Sequence, residues 1–81
     1  MHIEYTRVED NIIQYKYTDD DGRVYGVGDT IVRGKIADTV VIDMETYDEI
    51  EDSELFKRIV TARSVYAHDN YIVEEALRSI S

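Results

Sequence analysis

The run Ile13-Gln14-Tyr15-Lys16-Tyr17-Thr18-Asp19-Asp20-Asp21-Gly22-Arg23-Val24-Tyr25-Gly26-Val27 decides the fold. Ile13, Tyr15 and Tyr17 alternate with Gln14 and Lys16, the period of a strand that buries one face, and β-branched and aromatic side chains suit a pleated surface. Asp19 to Gly22 then supplies residues that tolerate the left-handed backbone angles of a tight turn. Val24, Tyr25 and Val27 resume the extended pattern, so a β-hairpin is predicted.

Upstream, Ile3 and Tyr5 predict another strand, edge or central, ended by Glu9-Asp10-Asn11. Downstream, Gly26 and Gly28 are expected to mark a bulge. Asp29-Thr30-Ile31-Val32 either continues the strand or starts another before Arg33-Gly34-Lys35 turns the chain. Val40, Ile42 and Met44, alternating with Val41 and Asp43, form the last strand.

After Met44 the period changes. Thr46 followed by Glu49 fits a capping box, and Leu55, Phe56, Ile59, Val60, Ala62 and Tyr66 recur at three-to-four-residue steps as one helix face. Asp52 or Ser53 offers a second N-cap, which makes Tyr47 to Glu51 a separate short helical turn. After Ala67-His68, Asp69 or Asn70 is expected to cap a last helix with Ile72, Val73, Ala76, Leu77 and Ile80 inward. The expected fold is α+β, a single domain over residues 1–81. An antiparallel β-meander of three to four N-terminal strands packs against two C-terminal helices.

Composition narrows the function classes. At 81 residues there is room for one core and little room for a deep, water-excluding cleft. With 43% apolar residues, seven Tyr and one Phe, the chain is too hydrophobic to stay unfolded. The absence of Cys excludes disulfides, thiolate zinc sites and cysteine nucleophiles. It suits a reducing compartment, and a cytoplasmic location is expected. Neither a signal peptide nor a membrane span is indicated. A net charge of −9 opposes direct contact with nucleic acid or anionic lipid, whose recognition depends on Lys and Arg.

Sites for chemistry are sparse. Gly26-Val27-Gly28 lacks the third glycine and the following helix that would bring a pyrophosphate to a helix N-terminus. Asp19-Asp20-Asp21-Gly22 lacks the alternating ligands and distal Glu of a calcium loop. Two distant histidines, His2 and His68, do not make a zinc site. His68 beside Asp69 matches a base and its orienting carboxylate, but helix capping by Asp69 accounts for the same pair and no serine sits in a nucleophile elbow. No cofactor, metal or catalytic residue is therefore expected.

The remaining signal is charge. Eight of the eighteen acidic residues fall between Asp38 and Glu54, with no Lys or Arg between Lys35 and Lys57. If Glu45 to Asp52 is helical, Glu45, Asp48, Glu49 and Asp52 occupy i, i+3, i+4 and i+7, a line of carboxylates roughly every ~5 Å. Asp43, Glu51 and Glu54 widen that field, and Tyr47 is the expected exposed anchor. Small, acidic, cysteine-free α+β chains without a catalytic constellation are common among phage and mobile-element inhibitors, and this composition is similar to theirs.

The function expected is a non-enzymatic protein-binding module that inhibits a partner by occupying its basic, nucleic-acid-binding surface as a nucleic-acid mimic. The alternative is a structural or adaptor domain that self-associates, a homodimer through a sheet edge or helix face, with charge serving solubility. A small enzyme using His68 and Asp69 ranks third.

Overall fold

In the computed structural model, which describes residues 1–80, the chain runs β1 (His2–Glu9), β2 (Ile12–Thr18), β3 (Val24–Val32), β4 (Lys35–Asp43), α1 (Ser53–Asp69) and α2 (Ile72–Ile80). The strands form one antiparallel sheet in the order β1-β2-β3-β4, each paired with its neighbour in sequence. The expected meander with two C-terminal helices is present, and it has four strands.

Side-chain parity determines what is buried. Tyr5, Tyr15, Val27 and Val41 share one cross-strand row, and Ile3, Tyr17, Tyr25 and Asp43 share the next row but one. On this face Ile13, Tyr15, Tyr17, Tyr25, Val27, Ile31 and Val41 are buried, closed over by Ile59 and Ala67 of α1 and Ala76 of α2. Tyr15 sits edge-on to Tyr5 at 6.4 Å and to Tyr66 at 6.2 Å, an arrangement that aligns ring edges with ring faces. Leu55, Phe56, Val60, Ala62 and Tyr66 pack against the same core as Ile59, which bears out the apolar spacing of α1.

Three local expectations are corrected. Gly26 and Gly28 lie in unbroken register; the irregularities fall instead between Tyr5 and Arg7 and between Thr30 and Ile31. A Cβ on Gly26 would stand 2.9 Å from Met44 Sδ, so the glycine makes room for side chains crossing the sheet rather than for a kink. His68 is not at the helix joint but in the last turn of α1, and Asp69 ends that helix instead of capping the next. Asn70 is the C-cap of α1 and donates Nδ2 to Tyr66 O at 2.9 Å. The chain then reverses through Tyr71, at φ 54°, into α2.

Candidate functional site

The acidic segment leaves β4 in a turn rather than a helix. Asp43 Oδ1 accepts from Glu45 N at 2.8 Å, Tyr47 N donates to Asp43 O at 2.7 Å, and Thr46 Oγ1 accepts from Asp48 N. The chain then doubles back along the free edge of β4. Asp43 N donates to Asp48 O, Ile50 N donates to Val41 O, and Ile42 bridges Glu49. The helical face of Glu45, Asp48, Glu49 and Asp52 is thus overturned, and with it the Thr46–Glu49 capping box.

The physical reason is visible in the sequence. A helix there would set Glu45 against Glu49 and Asp48 against Asp52 at like-charged i, i+4 spacing, with only Ile50 to bury. Short Asp and Thr side chains offer the backbone local hydrogen bonds that favour a turn, and pairing along β4 satisfies the rest.

The acids accordingly do different jobs. Asp43 shapes the turn, and Asp52 is the N-cap of α1, accepting from Glu54 N at 3.0 Å and Leu55 N at 3.2 Å. Glu45, Asp48, Glu49, Glu51 and Glu54 are exposed, and among the described residues none is in an ion pair. Tyr47 is 71% exposed at φ 64° in their midst. A bulky side chain in the left-handed region is disfavoured by roughly 1–2 kcal/mol, and here no burial offsets it.

The β2–β3 turn lies at the same end of the sheet, since Met44 N donates to Val24 O at 3.0 Å. Its acids are neutralised. Asp19 binds Arg58 at 2.9 Å, Asp20 the Met1 amino group at 2.6 Å, and Asp21 faces Arg23 at 3.6 Å. Burial works against ionised Asp19, but backbone N–H, the Tyr17 hydroxyl and Arg58 together outweigh it and hold its carboxyl below the usual range. Glu45, Asp48, Glu49, Glu51 and Glu54 are the densest run of unpaired carboxylates among the described residues; Asp10, Asp38 and Glu74 also stand in no ion pair.

One ionic site escaped the sequence reading. Asp29 of β3 is fully buried beneath α1, facing Arg63 at 3.4 Å and accepting from Thr39 Oγ1 at 2.7 Å. Burial pushes the Asp29 carboxyl up, against the pull of Thr39 and Arg63. Burial and the Asp29 charge also push up the Tyr15 phenol, whose hydroxyl has no hydrogen-bond partner in the structure. Asp29 follows Tyr25 and Val27 at inward parity, and Arg63 falls midway between Ile59 and Ala67 on the buried helix stripe.

His68 and Asp69 approach to 3.5 Å with side chains 90% and 67% exposed. The groove between β1 and α1 includes Asp69 but not His68. Among the described residues, no three His, Asp or Glu converge as a metal site, and no helix is long and apolar enough to cross a membrane. Comparison with protein-family models, curated proteins and solved structures finds no match to this chain.

Proposed function

We propose that this chain is a non-enzymatic protein-binding module that places its β4–α1 loop on a basic surface of a partner protein in the cytoplasm. The observation that carries it is the loop with the first turn of α1: Glu45, Asp48, Glu49 and Glu51 of the loop and Glu54 of the helix stand exposed without a cation around an outward Tyr47. Unpaired carboxylates attract Lys and Arg over about a Debye length, and an exposed ring gives such an encounter a contact to close on.

A basic surface of this kind normally serves nucleic acid, so occupying it inhibits the partner. The evenly spaced row that would imitate a duplex is absent, which leaves competition for the same cations as the mode of inhibition. The His68–Asp69 pair lies open on the surface, with only Asp69 of the two at the β1–α1 groove, which supports a non-enzymatic reading.

The test is low-salt capture of partners from the native host, followed by displacement of the retained protein with duplex DNA or RNA. Competition with wild type and loss of capture by a Glu45→Gln/Asp48→Asn/Glu49→Gln/Glu51→Gln variant is the expected result. Equal capture by the variant would overturn the proposal.

A further inference from the structure

The helices cover one face of the sheet and leave the other open. On it Ile12, Val40, Ile42 and Met44 line a shallow trough floored by Gly26 and Gly28, whose missing side chains let Met44, Ile42 and Ile12 lie across the strands. β1 and β2 flank the trough with both signs of charge, Glu4, Arg7, Glu9 and Lys16, Arg7 and Glu9 being paired at 3.0 Å. Asp38 has the same parity but lies on the free edge of β4, where it reaches solvent.

The sheet edges are partly obstructed as routes to self-association. The outer edge of β1 is guarded by the Tyr66 hydroxyl, which accepts from Tyr5 N at 3.1 Å, and by the register break beside it. The C-terminal part of the β4 edge is taken by the returning Asp48–Ile50 segment.

Charge along β4 selects the occupant. Arg33, in an exposed turn with φ 55°, and Lys35, the first residue of β4, form no ion pair among the described residues. The unpaired acids begin just past its end, about 27 Å away for a nine-residue strand. A two-fold axis lying between two stacked sheets, perpendicular to the strands, sets β4 over β4 in opposite directions. It brings each acidic turn over the other copy's basic turn.

We propose that the open face binds a second copy of this chain in that arrangement, the trough of Ile12, Val40, Ile42 and Met44 apposed to its copy, with Asp38 at the rim and Glu45 and Asp48 facing the second copy's Arg33 and Lys35. Four strands of this length present roughly 500 Å² per copy, below the ~800 Å² of a stable interface. The dimer is therefore weak and reversible, and it leaves Glu49, Glu51 and Glu54 free.

Sedimentation equilibrium of the purified protein alone, from micromolar to millimolar concentration, tests the dimer without any basic partner, so it stands or falls separately from the proposed function. A monomer–dimer equilibrium is expected. Arg33→Glu/Lys35→Glu, on an exposed turn, should weaken it on the order of tenfold, and adding Glu45→Lys/Asp48→Lys should restore it. Ile42→Lys should abolish it with circular dichroism unchanged. A monomer at every concentration overturns the proposal, as does a dimer indifferent to Ile42→Lys or a four-site charge swap that fails to restore association.

Discussion

Arg63 shows how much one residue can hold in a domain this small. It is the cation facing the fully buried Asp29, and stripping a buried pair of one partner costs ~3–5 kcal/mol, comparable to the ~5 kcal/mol total expected at this size. Arg63→Met should therefore leave much of the protein unfolded at neutral pH, as read by a thermal melt. Asp29→Val/Arg63→Met, which removes both charges, should recover most of the loss. The pH dependence has a definite sign. Asp29's folded value lies above its unfolded one, so the folded state holds the proton more tightly. Stability tied to this group is fully present below the unfolded value near ~3.9 and declines as pH rises through the folded value. Removing Arg63 raises the folded value further, so the single variant should regain stability relative to wild type on acidification; a deficit independent of pH would show that Asp29 is not the group left stranded. Tyr47 poses the opposite case. Tyr47→Gly relieves a left-handed backbone and should keep or raise stability, by up to about 1 kcal/mol, read as an equal or higher melting temperature, while weakening partner capture. A variant that melts earlier would mean the ring is structural.

At the scale of elements, strands and helices were legible because burial imposes a period. Ile13, Tyr15 and Tyr17 alternate since β2 is sandwiched between core and solvent, and the α1 stripe repeats since one face meets the sheet. The β4–α1 loop was misread for the same reason inverted: a charged residue at i, i+3, i+4 has nothing to bury, so its spacing carries no packing information. Ile50 packs the returning segment against the core, and backbone hydrogen bonds to β4 hold the rest. The Asp29–Arg63 pair was missed because each partner alone looks like an interruption of an apolar pattern. Both become informative only when the sheet and helix are superposed. The Asp52 cap was legible, being a short acceptor placed just before an apolar stripe, and Asp52→Ala should cost ~1 kcal/mol, with lost helicity appearing first in α1. No change in stability would mean that Ser53 or water satisfies Glu54 N and Leu55 N equally well.

For the whole molecule, the distinction that matters is between carboxylates the fold uses and those it leaves over. Asp19, Asp29, Asp43 and Asp52 are tied to an arginine, a threonine or backbone N–H groups, so reversing them tests folding rather than recognition. Glu45, Asp48, Glu49 and Glu51 offer side chains with no such bond among the described residues, and a Glu45→Lys/Asp48→Lys/Glu49→Lys/Glu51→Lys variant should keep wild-type circular dichroism while taking net charge most of the way to neutral. Wild type should not bind duplex DNA or RNA at physiological salt, because −9 overall repels phosphate. Association with a captured basic partner should slow as salt rises, since steering between exposed charges is screened over ~8 Å at physiological ionic strength. The reversed variant should associate slowly at every salt concentration, its rate nearly flat because no attractive field remains to screen. An unchanged rate and salt slope in the folded variant would place the recognition elsewhere on the surface and reduce the acidic loop to a means of keeping the chain in solution.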